Sequence, residues 1–507
     1  MTESVPVDGR SLTLAQFLAV VRSGQAVSLT QEARAGLASS RGAVERAVAA
    51  GRTIYGVTTG FGALSDRPIS PAKARELQAS LVRSHASGTG PALSRPVVRG
   101  VVLLRLNSLA RGHSGIRPEV AERLVELLNQ DLVPWIPEQG SVGASGDLAP
   151  LAHLALALTG EGAFVGRSGN PEPAREVLAR EGIAPLELVE KEGVALLNGT
   201  ALMASYLALS VAGARELLDA ALLAASLSYD ALEGSPEGLD DRLGEVRNSP
   251  DQRAVADALR RLLEGSQLSV RRTTWKGQDP YTLRCLPQVY SAVRLAVDFA
   301  ERIADAELNA VTDNPVVFGD EFVNGGNFHG QPLALALDTL ALAVQYLASF
   351  SERRTVRLVH PALSGGLPPF LSPEPGISSG FMVPQYLAAA LVNENVTLVH
   401  PASAMSLSTS ADQEDFVSMG PWAGQKLQRV LTNTRRAVAV EWIVAGQALE
   451  LRRPRTGGRG SEAALRALRA RVAPWTRDRS PAADIERVAA AIEGGELVRE
   501  VRAQVPF

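Results

Sequence analysis

The segment Gly140-Ser141-Val142-Gly143-Ala144-Ser145-Gly146-Asp147-Leu148 sets a serine among residues with almost no side chain. Small residues permit a tight, solvent-poor turn in which neighbouring backbone atoms approach closely. By itself Ala-Ser-Gly reads first as an ordinary turn before a helix, with Asp147 as the cap. A second glycine-rich loop, Tyr55-Gly56-Val57-Thr58-Thr59-Gly60-Phe61-Gly62, presents a phenol. It lacks the lysine and the spacing of a phosphate-binding loop, which leaves a loop with core aromatics or a weak anion-binding turn.

Other polar residues stand alone in the sequence. His85 follows the apolar positions Leu77, Leu81 and Val82 and reads as a helix-end histidine. Asn198 reads as a cap leading into a long apolar helix. Tyr281 and Arg284 are three apart, so on a helical turn they share a face, with Gln278 just before them. Arg284 suits a carboxylate, because its planar fork gives two parallel charge-assisted bonds; an ion pair inside the protein is the competing use. Phe328 reads as core packing, His329 as structural, and Glu414 as a carboxylate in a polar turn at a helix start.

Composition narrows the classes. The 507 residues carry 51 basic and 54 acidic side chains for a net charge of −3, and 46% are hydrophobic. That is ample for a large core and gives no electrostatic footprint for nucleic acid or an anionic membrane. One cysteine, Cys285, rules out an intramolecular disulfide and a multi-thiolate metal site, and it reads as a buried filler. The six histidines are scattered with no metal-ligand pairing, so no metal is expected. Residues 1–10 carry Glu3 and Asp8 before any apolar stretch, unlike a secretory signal. Charged or amide residues interrupt each apolar run before it reaches the roughly 18 residues a membrane span needs. A cytoplasmic protein is expected.

The elements that must position these residues are helical. Thr13 and Gln16 predict a capping box ahead of Leu14, Phe17, Leu18 and Val21, and Ser70-Pro71 predicts a cap and first helical residue. Helices are predicted over residues 98–110, 118–127, 197–232, 289–308, 332–354, 385–393 and 424–451, where alanine and leucine abound. A short strand or hairpin is predicted within 163–181, around Gly169-Asn170-Pro171. Residues 202–225, 333–350 and 430–449 are apolar on more than one face, as in a large bundle or at an oligomer interface. The fold class is mainly α, a long-helix bundle with a small loop-rich N-terminal portion. Three domains are expected: 1–200 with the Tyr55 loop and residues 144–146, a central bundle 201–455, and a helical portion 456–507.

The run from Gly140 to His153 closely resembles the signature of the aromatic amino-acid ammonia-lyases and 2,3-aminomutases, and further blocks occur in family order from about Leu12 to beyond Leu449. The resemblance implies a bundle of the ammonia-lyase/fumarase-like type and a homotetramer with shared active sites. It implies that Ala144-Ser145-Gly146 cyclises autocatalytically, losing two waters, to 4-methylideneimidazole-5-one (MIO). This is an electrophile with an exposed methylene, and no external cofactor is needed. Side chains offer nucleophiles, acids and bases but no good electron sink for removing an amine beside a non-acidic C–H. Tyr55 then matches the base toward the β-hydrogen, which requires nearby donors or positive charge, since a free phenol titrates at about pH 10. Arg284, Gln278 and Asn198 match residues that hold the substrate carboxylate, Tyr281 one that assists at the MIO or leaving amine, and Phe328 an aromatic packed near it.

His85 matches the ring-recognition residue of histidine- and tyrosine-specific members, and Glu414 resembles the glutamate of histidine-specific ones, where others usually have glutamine. A carboxylate gains charge pairing with a cationic amine or imidazolium that glutamine does not. The implied reaction is loss of ammonia from L-histidine to give trans-urocanate. Thr58, Phe416 and Leu286 depart from the histidine-specific pattern, and Thr58, Phe416 and the Phe328-His329-Gly330-Gln331 run keep a tyrosine ammonia-lyase or tyrosine 2,3-aminomutase as the alternative. A non-catalytic helical scaffold is a third reading, disfavoured by the intact tripeptide beside Tyr55, Asn198, Tyr281 and Arg284.

Overall fold

Alanine and leucine lose little side-chain freedom in a helix, and their abundance sets the architecture. The computed structural model describes residues 4–270 and 277–507 and is mainly α. Among the described residues the four longest helices are Ala201–Ala231, Leu286–Glu307, Gln331–Val359 and Gly420–Glu450. Strand is confined there to four two-stranded pairs. Three of these are the parallel pair Val5–Val7 with Val27–Leu29, the antiparallel pair Thr89–Ala92 with Pro137–Gln139, and the hairpin Val316–Phe318 with Glu321–Val323. The fourth, Ala163–Val165 with Pro171–Pro173, is the hairpin expected around Gly169.

The expected capping box forms: Thr13 Oγ1 accepts from Gln16 N and Gln16 Oε1 from Thr13 N, opening Leu14–Ser23. At residue 70 the chain differs from expectation. Pro71–Lys73 is a 3-10 turn, and the α-helix Ala74–His85 begins after it without a side-chain cap. The predicted helix 197–232 is likewise broken, into Glu192–Leu197 and Ala201–Ala231, because Gly199 takes φ 140° between them.

The described residues group into two compact units, each drawn from three stretches of chain. The first comprises Met1–Leu209, Glu301–Asp338 and Pro401–Gln425; the second comprises Ser210–Ala300, Thr339–His400 and Lys426–Phe507. By length and composition the helix Gln331–Val359 passes for a membrane span, although Asp338 and Gln345 interrupt its apolar run as the sequence suggested. Its most apolar window is 67% buried inside the protein, as in a core helix.

Within the second unit one ion pair gathers residues of all four long helices. Glu441 and Arg354 are both fully buried; Arg354 Nη2 donates to Glu441 Oε2 at 2.9 Å and to Tyr290 Oη at 2.8 Å. Ser228 Oγ donates to Glu441 Oε1 at 2.6 Å, and Ser351 Oγ donates to the other oxygen. Two charges without water repay their desolvation only when fully bonded in this way. Burial also pushes the Tyr290 phenol up to about 12, so it remains a neutral partner. Removing one member strands the other: Arg354→Met should cost about 3–5 kcal/mol, read as a lower denaturant midpoint. A midpoint equal to that of the parent would show that the cluster does not hold the helices.

Candidate active site

Short pairings in the first unit set the surroundings of residues 140–146. The helix Ala74–His85 ends at His85, and Thr89–Ala92 then pairs with Pro137–Gln139, the strand that leads into Gly140. The pairing brings Gly140 onto Gly88, where an added Cβ would lie 2.9 Å from Gly88 Cα. Gly88 N donates to His153 Nε2 at 3.1 Å, tying this crossing to the helix Leu148–Leu158.

Gly146 lies against Gly199 in an isolated parallel bridge. Asp147 N donates to Gly199 O at 2.7 Å and Gly199 N to Ser145 O at 3.3 Å, so neither bond uses the Gly146 N–H. Gly146 has φ 82°, and a Cβ there would meet Gly199 O at 2.1 Å and Phe328 O at 3.1 Å. Only glycine fits. Ser145, at φ 49°, is a non-glycine residue in the left-handed region, which costs about 1–2 kcal/mol. These features fit a tripeptide that cyclises: a bent backbone, no side chain at residue 146, and an attacking nitrogen outside the bridge.

Asp147 does not cap its own helix, Leu148–Leu158, as the sequence suggested. Its Oδ2 instead accepts from Leu202 N at 2.7 Å and Met203 N at 3.2 Å, at the start of Ala201–Ala231, where the helix dipole favours a carboxylate. Asn198, expected to cap that long helix, ends Glu192–Leu197 and donates from Nδ2 to Asn314 O at 2.8 Å. Beneath lie further charges without solvent contact. Lys191 donates to Asp313 at 2.8 Å, and the Arg105 guanidinium is fully buried with Asp147 and Asp313 as its neighbouring carboxylates.

Beside the tripeptide is a cavity of 670 Å³ lined by first-unit residues, among them Tyr55, His85, Ser145, Asn198 and Glu414. Ala144 lines a smaller neighbouring pocket with Ser141 and His85. Ser145 Oγ donates to Glu414 Oε1 at 3.3 Å, and Thr409 Oγ1 to Glu414 Oε2 at 3.0 Å. Tyr55 Oη accepts from Gly62 N at 3.0 Å, and its ring meets Phe61 edge-on. His85 Nδ1 lies 2.9 Å from Leu81 O. A carbonyl can only accept, so Nδ1 carries the proton and Nε2 of the neutral ring is the acceptor. Burial holds His85 below the ordinary imidazole value, against the opposing effects of Leu81 O and Glu414.

The remaining candidates lie elsewhere. Gln278, Tyr281 and Arg284 belong to the second unit and are not among the cavity's lining residues. Tyr281 and Arg284 do share a helical face: the guanidinium lies 4.6 Å from the Tyr281 ring centre, and Arg284 Nε donates to Asp279 O at 2.9 Å. Phe328 brings its backbone oxygen to Gly146, and its side chain is not on the lining. Thr58 Oγ1 accepts from Ile54 N at 2.8 Å and donates to Arg52 O at 2.9 Å, so it serves its own loop.

Sequence reasoning missed Ser410 and Ala411, which line the cavity. With Asp412 they form three successive left-handed residues, at φ 53°, 50° and 65°, and Ser410 Oγ accepts from Ala63 N at 3.3 Å in the Tyr55 loop. The usual sign of such backbone is glycine or asparagine, and neither is present.

A sequence profile of the aromatic amino acid lyases matches residues 12–470. The histidine ammonia-lyase of Symbiobacterium thermophilum is 49% identical over 98% of both chains. A tyrosine aminomutase structure from Streptomyces globisporus superposes with a TM-score of 0.94 at 38% identity, covering 100% of this chain and 99% of that one. A histidine ammonia-lyase structure from Trypanosoma cruzi gives 0.92 at 38% identity, covering 99% and 96%. The chain belongs to the aromatic amino acid lyase family, with the helical bundle fold of the ammonia-lyase/fumarase superfamily. Membership makes it a carbon–nitrogen lyase acting on an amino acid and implies an autocatalytically formed MIO.

Asp147 offers a test of the buried layer. Burial raises its carboxyl from the ordinary 3.8 to about 7, so the folded state holds a proton that the unfolded chain releases. The stability this contributes is complete below the unfolded value and is lost as pH rises through about 7. Asp147→Asn keeps an acceptor for the two amides and cannot titrate. Between about pH 5 and pH 8 the melting temperature of the parent should therefore fall more than that of the variant. Equal slopes would refute the assignment.

Proposed function

We propose that this protein eliminates ammonia from L-histidine to give trans-urocanate, using an MIO formed from its own Ala144, Ser145 and Gly146. One observation carries the reading: Tyr55, His85, Ser145 and Glu414 line a single cavity. The MIO supplies the electron sink that side chains lack.

The chain's own residues do the rest. Tyr55, its oxygen held by the Gly62 N–H, takes the β-hydrogen. His85, with Nδ1–H committed to Leu81 O, offers Nε2 to an N–H of the substrate imidazole. Glu414 pairs with the cationic amine or imidazolium, a gain that glutamine could not give. Asn198, Gln278 and Arg284 hold the carboxylate, Tyr281 assists at the amine, and Phe328 packs against the MIO. Gln278, Tyr281 and Arg284 of one copy would serve the cavity of another in a homotetramer with shared sites, and exposed apolar residues such as Val383, Tyr386 and Val396 support association. A cytoplasmic setting belongs to the same proposal.

Full-length similarity to histidine ammonia-lyases supports the substrate. Tyrosine, as the substrate of a lyase or 2,3-aminomutase, is the second reading, because His85 Nε2 accepts from a phenol as readily as from an imidazole. Glu414 weighs against it. A phenol brings no charge to the Glu414 carboxylate.

The substrate is tested by incubating the protein with L-histidine, L-tyrosine and L-phenylalanine, following the conjugated acid by ultraviolet absorption, and assaying ammonia and β-amino acid. Urocanate and ammonia from histidine alone are expected; coumarate or β-tyrosine from tyrosine would move the assignment to the second reading. Two variants test the roles. Ser145→Ala should lose both turnover and the mass deficit of about 36 Da that two lost waters leave. Tyr55→Phe should keep the deficit and lose at least about a hundredfold in turnover. Wild-type turnover in either variant would overturn the corresponding role.

A further inference from the structure

Arg105, in the helix Arg95–Ala110, is fully buried, yet among the described residues only one of its side-chain nitrogens has a partner. Nη1 donates to Asn198 O, while Nε and Nη2 find no acceptor among the described residues. A buried guanidinium usually saturates its fork, because each unmet donor is costly. The one bond it does make falls on the peptide joining Asn198 to Gly199. The N–H of that same peptide donates to Ser145 O, and the Gly199 carbonyl beyond it accepts from Asp147 N. A Cβ on Gly199 would lie 2.5 Å from Arg105 Nη1 and 2.6 Å from Thr312 Oγ1, so the strand is seated directly on the guanidinium. A line of contacts therefore runs from a fixed cation, through residues 198 and 199, to the backbone on either side of Gly146.

We propose that Arg105 is a positioning residue for maturation, holding the 198–199 strand as the template on which Ala144-Ser145-Gly146 closes. The inference rests on the reading that these residues form the MIO. In the closure, Gly146 N bonds to the Ala144 carbonyl carbon. The Ala144 oxygen leaves as water with the hydrogens of the Gly146 and Ser145 nitrogens, and a C=N bond forms. The Ser145 hydroxyl leaves as a second water with the Ser145 Cα hydrogen, and a C=C bond forms. Both flanks of the attacking nitrogen are tied to Gly199, at Ser145 O and Asp147 N. When the template loosens, the tripeptide relaxes out of the near-contact arrangement on which such a reaction depends. The finished ring is covalently rigid and no longer needs the template.

The test follows the mass of full-length protein during cell-free synthesis, with Arg105→Gln, Arg105→Lys and an unmatured Ser145→Ala reference, and checks folding by circular dichroism and thermal melting. Wild type should reach the deficit of about 36 Da. Arg105→Gln should fold like the Ser145→Ala reference and mature at least about tenfold more slowly, the effect of one lost charge-assisted hydrogen bond. Arg105→Lys, which keeps the charge without the fork, should fall between, and turnover per matured site should equal wild type in both. Maturation of Arg105→Gln at the wild-type rate would overturn the proposal. If Arg105→Gln fails to fold, wild-type maturation in Arg105→Lys would overturn it equally. A fall in turnover per matured site without slower maturation would also overturn it. A wild-type chain without the deficit would remove the MIO reading itself, and the template role with it.

Discussion

The first unit is organised around a contact too close for any side chain, Gly146 against Gly199. Two glycines in left-handed or extended-positive conformations lose more entropy on folding than other residues would, and Ser145 adds strain at φ 49°. The two hydrogen bonds between the strands return only about 0.5–1.5 kcal/mol each. The contact therefore cannot maintain itself. It is imposed from outside: Asp147 is fixed by the start of a long helix, the Phe328 carbonyl closes the third side, and Ser418 fills the space beside Gly143.

That external hold is electrostatic below and adaptable above. Lys191, Asp313, Arg105 and Asp147 are buried with no access to water to absorb a change in charge. Burial pulls the lysine and the arginine down and pushes Asp147 up, so each group depends on its neighbours for its state. A layer of this kind resists displacement, because moving any member uncovers another. On the cavity side the groups are half-buried, and their polar atoms are not saturated. Tyr55, His85 and Glu414 each keep capacity for a ligand, and the loops carrying Tyr55 and Glu414 meet through Ser410. A rigid floor and uncommitted walls are what a reaction needs when one partner is built from backbone and the other must enter and leave.

Much of the fold was legible because its signals are local. The Thr13 capping box, the hairpin around Gly169 and the long helices follow from periodicity and turn chemistry within a dozen residues. What escaped is non-local. Asp147 looks like the cap of the helix it precedes, and only folding brings it to the helix beginning at Ala201. The break at Gly199 is hidden within an apolar stretch that reads as continuous helix. Units assembled from three separate stretches are invisible to a reading that follows chain order. Tyr55, His85, Ser145, Asn198 and Glu414 were legible as a set only through resemblance, since 359 positions separate the first from the last and no spacing rule reaches that far.

The cavity wall also reweights the sequence signals for substrate. Thr58, Phe416 and Leu286 pointed away from histidine, yet Thr58 and Phe416, which belong to the same unit as the cavity, do not line it. Thr58 spends its hydroxyl on Ile54 and Arg52, Phe416 gives its carbonyl to His329 Nε2 and stacks on that ring, and Leu286 is buried at the start of its helix. His85 and Glu414, which pointed toward histidine, are both on the wall. A residue selects among substrates through the free energy it exchanges with them, and one whose polar atoms are already satisfied within its own loop has little to exchange. The substrate signal in this chain is therefore concentrated in an acceptor nitrogen and a carboxylate facing one space. An imidazolium can satisfy both with its two N–H donors, whereas a phenol has one O–H and brings no charge of its own to the carboxylate.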